Sequence, residues 1–391
     1  MNKVRLGDTC EILNGYAFKS ENYVTEGIRV IRIANVQKGY IEDKEPQYYP
    51  INCEEDIAKY SLFENDLLIS LTGNVGRVAL LPKEMLPAAL NQRVACLRMN
   101  TKSDISKDFL FHYLNSDRFE NDCITSSKGV AQKNMSTEWL KKYEIPVFSQ
   151  EKQRHISARL SLINSLIEKE KLQLQKLDEL IKSRFVEMFG DPVSNPLNWD
   201  TKPLLSLGNC KNGMNFHYDE NGVEINCLGV GDFKDLSIIA NTTILPTIIL
   251  NEMPSKEYLL QNDDIVFVRS NGNKALVGRS VAVYPNKVPT TFSGFCIRFR
   301  KHDDTVIVPY LLRVLKTDSI RNKMKGRGAN IQNLNQQILS TLEIPIPPLE
   351  LQCQFADFVA QTDKSKYCLV GEQILGKAEM LIKILKQEYF G

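Results

Sequence analysis

A long run of apolar residues at alternating spacings of three and four constrains this chain more than any other feature. The run starts at Ile156, continues to Met188, and is broken only by Glu170 and Arg184. A repeat of 3.5 residues keeps one narrow apolar stripe facing a partner helix, as in a coiled coil. The sequence therefore predicts a helix over 149–190 that packs against a second helix.

The chain itself supplies a second helix of the same pattern. Glu144-Ile145-Pro146 recurs as Glu343-Ile344-Pro345, and Phe189-Gly190 recurs as Phe390-Gly391. We therefore predict that residues 349–391 form the second helix of an antiparallel pair. The predicted interface of the pair comprises Ile156, Leu160, Ile163, Ile167, Leu174, Leu177 and Ile181 on the central helix and Phe355, Val359, Leu375, Ala378, Ile382 and Leu385 on the tail.

The segments that precede the two helices repeat as well. Asn14-Gly15 matches Asn212-Gly213, and each segment has β-rich runs, then a helical stretch, then a polar loop at 129–134 or 328–333. The prediction is an α+β protein with an internal pseudo-two-fold repeat, in which a rod of about 60 Å holds the domains at opposite ends. Its predicted parts are two β-rich domains, 1–148 and 191–348, and two coiled-coil helices, 149–190 and 349–391.

Composition excludes several classes of protein. No apolar run approaches the ~18 residues of a membrane span, and the polar start has no signal-peptide core, so we expect a cytoplasmic protein. Nine cysteines and four histidines are scattered without the spacing of a disulfide framework or a zinc site. The net charge is only +2, but basic residues outnumber acidic ones by nine to three between 298 and 327. Such a patch can bind phosphates, or it can be a solvated helix face.

Arg, Lys, Asn and Gln in the loops are candidates for contact with DNA, because Arg and Lys read guanine, Asn and Gln read adenine, and basic groups hold phosphates. In the first domain the candidates are Arg77, Asn91, Gln92, Arg93, Lys128, Gln132, Lys133 and Asn134. In the second they are Arg269, Asn271, Lys274, Arg279, Lys325, Arg327, Asn330, Gln332 and Asn333. Any one of them could instead be a turn former or a solvated loop residue.

Motifs that suggest catalysis are incomplete. Residues 371–377 nearly spell a phosphate-binding loop, but Ala378 replaces the Ser or Thr that binds magnesium, and the segment lies inside a predicted helix. No Asn/Asp-Pro-Pro-Tyr/Phe tetrapeptide of an amino-methyltransferase is present. We therefore expect neither a catalytic residue nor a metal ligand in this chain.

The order of the short motifs, found twice, resembles the specificity subunit of a type I restriction-modification enzyme. The motifs are Leu6-Gly7-Asp8, Thr72-Gly73-Asn74-Val75-Gly76-Arg77, Leu90-Asn91-Gln92-Arg93-Val94, the loop at Gly129, and the stretch from Ile145-Pro146 to Gln153. In the second domain, Leu90-Asn91-Gln92 is replaced by Pro289-Thr290-Thr291-Phe292-Ser293.

The resemblance implies a subunit without a catalytic centre, in which each domain reads one half of a bipartite sequence in double-stranded DNA. It also implies that the helices dock two N6-adenine methyltransferase subunits, and that motor-nuclease subunits can join them. The subunit would need no cofactor, since S-adenosylmethionine, ATP and magnesium would belong to the partner subunits.

Alternative functions remain open at this point. The chain could serve a complex that only methylates DNA, or it could be a DNA-modifying enzyme with duplicated recognition domains. It could also be a coiled-coil adaptor that never touches DNA, although the basic residues and the paired amide-rich loops argue against this.

Overall fold

A computed structural model of the chain has two compact units. The first comprises Met1–Lys171 and Val370–Gly391, and the second comprises Leu172–Leu369. Each unit therefore contains one β-rich domain together with part of the central helix and part of the tail. The residues described are 2–53, 57–127, 134–216, 222–233, 237–273, 275–325, 333–369 and 372–391, with only the backbone described for 325, 366–369 and 372–375.

Two four-stranded β-sheets lie in the described part of the first β-rich domain. In spatial order, one sheet contains Cys10–Asn14, Val94–Met99, Leu67–Ser70 and Val78–Leu80, and the other contains Tyr48–Tyr49, Ile28–Ile31, Ala88–Leu90 and Ser61–Leu62. All four residues of Leu67–Ser70 are buried. Because side chains alternate between the faces of a strand, both faces of this strand are covered.

The second unit repeats this order of strands. One sheet contains Gly208–Asn212, Cys296–Lys301, Asp264–Val268, Ser280–Val283 and Ile238–Ile239, and the other contains Thr247–Leu250, Val223–Leu228 and Thr290–Phe292. Asp264–Val268 takes the place of Leu67–Ser70 and is buried along its whole length. The predicted α+β fold and the internal repeat are therefore confirmed.

A short antiparallel strand pair connects each domain to its long helix. Lys3–Arg5 pairs with Glu144–Pro146 in the first unit, and Thr201–Pro203 pairs with Glu343–Pro345 in the second. The start of each domain thus lies beside the segment that leads into the helix.

The short helices begin at side chains that cap them. Ser106, Ser116 and Ser136 each accept a hydrogen bond from a backbone N–H in the first turn of a helix, which satisfies a donor that the helix leaves free. Among the described residues, the α-helices of the first domain include Leu6–Thr9, Lys107–Leu114, Asp117–Ser126 and Thr137–Lys142, and those of the second include Val308–Leu315, Asp318–Lys325 and Gln336–Ser340.

The central helix runs over Gln150–Phe189 without interruption. Ser149 Oγ accepts the N–H of Lys152 at 3.3 Å at its start, and Gly190, with a φ of 74°, ends it in the left-handed conformation that glycine tolerates best. The tail forms Leu349–Leu369 and Glu372–Phe390 on either side of 370–371, which lie outside the described residues.

In the first unit the beginning of the central helix lies beside the end of the tail. The Arg159 guanidinium donates to the Tyr389 hydroxyl at 2.9 Å, and further along Lys171 pairs with Glu379 at 2.8 Å. The two segments are thus antiparallel. The Phe390 ring lies 5.8 Å from that of Phe109, so the last turn of the tail is part of the domain core.

In the second unit the end of the central helix lies beside the beginning of the tail. The ring of Phe355 lies 5.5 Å from that of Phe185 and 5.6 Å from that of Phe189, and both of these rings also contact Tyr310 of the domain. An aromatic cluster therefore joins the two helical segments and the domain into one core.

The predicted helix-pair interface can be located residue by residue. Ile156, Leu160, Ile167, Ile181, Phe355 and Leu385 are buried, and Ile163, Leu174, Leu177, Val359, Ala378 and Ile382 are half-buried. The side chain of Leu375 lies outside the described residues. By contrast, Leu162 and Leu166 of the same central helix are 60% and 49% exposed.

Candidate nucleic-acid interface

Three backbone segments meet at the end of strand Leu67–Ser70 in the first unit. A β-bridge joins Thr72 to Asn134, and the N–H of Met135 donates to the Leu71 carbonyl at 2.8 Å. On the other side, the N–H of Leu71 donates to the Arg93 carbonyl at 2.9 Å. We refer to residues 72–76, 91–94 and Asn134 as the first loop cluster.

A tight turn at 91–94 presents two exposed side chains in this cluster. The N–H of Val94 donates to the Asn91 carbonyl at 2.9 Å, and the Asn91 amide oxygen accepts the N–H of Arg93 at 3.2 Å. Asn91 is therefore buried and occupied in forming the turn, whereas Gln92 and Arg93 are exposed. A Cβ on Gly15 would collide with the Asn91 carbonyl, which explains the glycine in the repeated Asn-Gly pair.

The second unit has the same arrangement. A β-bridge joins Ser270 to Asn333, the N–H of Leu334 donates to the Arg269 carbonyl at 2.8 Å, and the N–H of Arg269 donates to the Phe295 carbonyl at 2.8 Å. We refer to residues 269–273, 293–296 and Asn333 as the second loop cluster.

The turn at 293–296 is the structural counterpart of the turn at 91–94. The N–H of Cys296 donates to the Ser293 carbonyl at 2.8 Å, and Ser293 Oγ accepts the N–H of Phe295 at 3.3 Å. Ser293 thus takes the place of Asn91, and Phe295 takes the place of Arg93. This corrects the pairing made from sequence alone, which set 289–293 against 90–92.

The other candidate side chains of the described residues lie in or next to the clusters, and several are engaged within the protein. Arg77 is half-buried and donates to the Gln37 side chain, and the Arg269 guanidinium donates to the Gly294 carbonyl at 3.2 Å. The Asn271 amide oxygen accepts the N–H of Asn273 at 2.8 Å. Asn134 and Asn333 are exposed.

Arg279 occupies the position that corresponds to Arg77 and lines a cavity of about 400 Å³. The cavity is also lined by Arg313, Lys316 and Arg321, and burial lowers the pKa of the Arg313 and Arg321 guanidinium groups. The remaining candidates fall outside the described residues: these are Lys128, Gln132, Lys133, Lys274, Arg327, Asn330 and Gln332, together with the side chain of Lys325.

Comparison with known proteins now identifies the family. The family model described as "Type I restriction modification DNA specificity domain" matches residues 1–179 and again 196–375. The chain belongs to this family. It carries two specificity domains in tandem, and this membership makes it a specificity component and not a catalytic subunit.

Individual relatives agree with this assignment. The chain is 25% identical over 376 residues to the type I restriction enzyme StySPI specificity subunit of Salmonella potsdam, covering 90% of this chain and 79% of that protein. It is 35% identical over 160 residues to the EcoAI specificity subunit of Escherichia coli, covering 40% of this chain and 27% of that protein.

A solved structure shows a similar fold. The crystal structure of a type I restriction-modification system S subunit from M. genitalium matches with a TM-score of 0.59 and 18% identity, covering 100% of this chain and 96% of that chain.

The basic patch predicted between 298 and 327 is not one continuous exposed surface in this specificity component. Arg298 is 4% exposed and donates to the Asn209 side chain at 3.1 Å. Arg300 makes two hydrogen bonds of 2.7 Å to the buried Asp264. Both arginines lie on a strand inside the sheet, and the charge of Arg300 is paired with a buried carboxylate, so the count of basic residues overstated the surface charge.

Sequence reasoning missed Phe295, which is 61% exposed at the tip of the second turn. The loop after strand Leu67–Ser70 has seven residues (71–77), and the loop after the equivalent strand Asp264–Val268 has eleven (269–279). The separation between matching residues of the two domains therefore increases by four at this loop. An alignment with this four-residue insertion would have set Phe295 against Arg93.

In the part of the chain that the structure describes, no group of three or more His, Cys, Asp or Glu side chains has the geometry of a metal site. The helices in that part are also too short or too polar to cross a membrane.

Proposed function

We propose that this chain reads a two-part DNA sequence, one part with each recognition domain, for a type I methyltransferase or restriction complex. Two N6-adenine methyltransferase subunits would dock on its helices, and motor-nuclease subunits could join them. The observation that carries the proposal is the repeated loop cluster, because the same three backbone segments meet at the same strand end in both units.

The chemistry of the clusters suits DNA. Among their described residues there is no Asp or Glu, and exposed amide groups of Asn134 and Asn333 stand beside bridging backbone. Amide side chains can make paired hydrogen bonds to adenine, and a guanidinium such as that of Arg93 can bind guanine or a phosphate. Each cluster is held by backbone hydrogen bonds, so the backbone that carries its side chains is ordered before the ligand arrives.

The helices carry apolar side chains that remain exposed within each unit. In the first unit Leu162, Leu166 and Ile384 are 60%, 49% and 51% exposed, and in the second Leu180 and Val186 are 48% and 56% exposed. Rows of exposed apolar groups on a helix favour contact with another protein. A helix of a methyltransferase subunit would bury them.

Mapping of methylated adenines tests the reading of DNA. When the chain is expressed with its methyltransferase subunits, we expect N6-methyladenine in one motif made of two specified blocks separated by an unspecified spacer. A chimaera whose 1–148 segment comes from a relative should change one block only. A single continuous motif, or a change in both blocks, would contradict the proposal.

Substitution of the exposed leucines tests the docking. Leu162→Glu with Leu166→Glu should remove the methyltransferase subunit bound to this part of the helix, which native mass spectrometry of the complex would detect. Leu162→Met with Leu166→Met keeps the apolar surface and should retain the full complement of subunits. Equal stoichiometry in both double variants would exclude this face as the docking site.

A further inference from the structure

Phe295 is a large apolar side chain held out from a rigid turn. It is 61% exposed, although a phenylalanine in a folded protein gains most when it is buried. Its neighbours along the chain, Gly294 and Cys296, are both buried. The exposure therefore belongs to one side chain at the tip of the turn and not to a loosely packed segment.

Hydrogen bonds fix the backbone of this turn on every side. The Phe295 carbonyl accepts the N–H groups of Arg269 and Ser270 at 2.8 and 3.2 Å. The N–H of Gly294 donates to the Met214 carbonyl at 2.8 Å, and the Gly294 carbonyl accepts from the Arg269 guanidinium. The backbone of such a turn is already ordered, so no further backbone entropy is lost when the side chain that it carries binds a ligand.

The equivalent position in the first domain carries Arg93, which is also exposed. The same scaffold thus presents a cation in one domain and an aromatic ring in the other. If both turns face the DNA, the two positions must read different features of it. In the major groove the only apolar feature of a base edge is the C5-methyl group of thymine.

We propose that Phe295 reads a thymine in the part of the target recognised by the second domain, through apolar contact with the C5-methyl group. The inference rests on the proposed function, since it requires the second loop cluster to lie against DNA. It adds a specificity-determining residue and the chemical group that this residue recognises.

The experiment uses the chain purified with its methyltransferase subunits and a duplex that contains its mapped target. Each thymine of the target is replaced, one at a time, by deoxyuridine, which lacks only the methyl group. At one position the replacement should weaken binding by the wild type about fourfold, the effect of one buried methyl group. The Phe295→Ala variant should bind both versions of that duplex equally, and Phe295→Leu should keep part of the difference.

Phe63→Ala is the matched control. Phe63 is 60% exposed, as Phe295 is, but it precedes strand Leu67–Ser70 in the first domain and so lies at the end opposite to the turn at 91–94. This variant should respond to every deoxyuridine as the wild type does. Melting temperatures of Phe295→Ala and the wild type should agree, because the removed ring is largely exposed.

The possible failures are distinguishable. If wild type and Phe295→Ala show the same deoxyuridine profile, or if the second part of the target contains no thymine, the inference is wrong and the proposed function stands. Weaker binding by Phe295→Ala without any methyl dependence would also overturn it and would indicate a wedge between base pairs. If the wild type has no two-part target, the proposed function and this inference fall together.

Discussion

The two recognition domains share their buried polar contacts and differ at their exposed turns. Asp66 accepts two hydrogen bonds from Arg98 in the first domain, as Asp264 does from Arg300 in the second. At the exposed turn, by contrast, the first domain has Arg93 and the second has Phe295 at the equivalent position. Buried polar groups must be satisfied wherever the fold recurs, whereas an exposed turn is free to change with its ligand.

The contacts between each domain and the helical segments also include one that both units share and a neighbouring residue that differs between them. Gln153 and Gln352 are fully buried, and each accepts one backbone N–H and donates to two carbonyls. Nearby, however, the buried His112 of the first unit bonds to Ser161 at 2.8 Å, and the second unit has Arg313 at the corresponding place. The glutamine is part of the repeated framework, whereas the residue near it is a neutral histidine in the first unit and an arginine in the second.

Removal of the buried carboxylate should have the largest effect. Asp264→Ala leaves Arg300 without its partner in the sheet, and loss of one member of a buried ion pair costs about 3–5 kcal/mol. Asp66→Ala should cost less, because the Arg98 side chain is 29% exposed and that of Arg300 is 23% exposed, while the carboxylates are 9% and 0% exposed.

Hydrogen exchange in strands Leu67–Ser70 and Asp264–Val268 reports on each unit separately. Glu64→Ala, at an exposed position near Asp66, is the control. If Asp264→Ala and Glu64→Ala gave the same protection, the carboxylate would not stabilise the framework.

Replacement of the buried glutamines tests whether the two frameworks are equivalent. Gln153→Leu leaves the N–H of Ser106 and the carbonyl of Phe148 without this partner and removes one of the two donors to the Asp104 carbonyl. Gln352→Leu removes the partner of the Ile307 N–H and of the Thr305 and Pro347 carbonyls. Each variant should lose about 3 kcal/mol of unfolding free energy from its own unit. Urea unfolding followed by hydrogen exchange measures both losses, and the exposed Gln354→Leu should lose almost nothing. Losses that differed several-fold would show that only one unit depends on this contact.

The duplication could be predicted from the sequence because short motifs recur in the same order, for example Asn14-Gly15 as Asn212-Gly213 and Gln153 as Gln352. The heptad pattern from Ile156 onward, the recurrence of Gln153 as Gln352, and the Asn-Gly pairs gave the helices and the duplication. Periodicity carries this information since it follows directly from helix geometry and burial.

The candidate site was less predictable because its residues are brought together by strand pairing. Nothing in the sequence near Leu71 shows that its backbone pairs with both Arg93 and Met135. The number of basic residues also gave a wrong prediction of an exposed patch at Arg298 and Arg300. A residue type does not show whether its side chain bonds to a neighbour within a sheet. Residues such as Gln132 and Gln332 lie outside the described residues, so their role stays a prediction.

Acid should destabilise the first unit more than the second. Burial, with a smaller contribution from Lys386, lowers the pKa of His112 to about 4. Between about pH 6.5 and pH 4 the unfolded chain then binds a proton that the folded chain does not, so stability present above pH 6.5 is lost as the pH falls. The loss should reach about 2–3 kcal/mol.

His112→Gln should remove this pH dependence and leave that of the second unit unchanged, because Arg313 stays charged throughout this range. Urea unfolding at pH 7 and pH 4.5, with hydrogen exchange of Lys107–Leu114 and Val308–Leu315, measures the pH dependence of stability in each unit. An unchanged pH dependence in His112→Gln would assign the acid sensitivity to other groups.

The smallest effect is expected at the exposed turns, where the two domains differ most. Arg93→Ala removes a cation that no described side chain neutralises, and it should weaken DNA binding by about tenfold or less while reducing the slope of log affinity against log salt by about one. Phe295→Ala should leave that slope unchanged, because it removes no charge. Titrations of a labelled duplex at several salt concentrations compare the two variants under identical conditions. Equal slopes in wild type and Arg93→Ala would mean that Arg93 binds no phosphate, and the contrast between the turns would then be one of shape and not of charge.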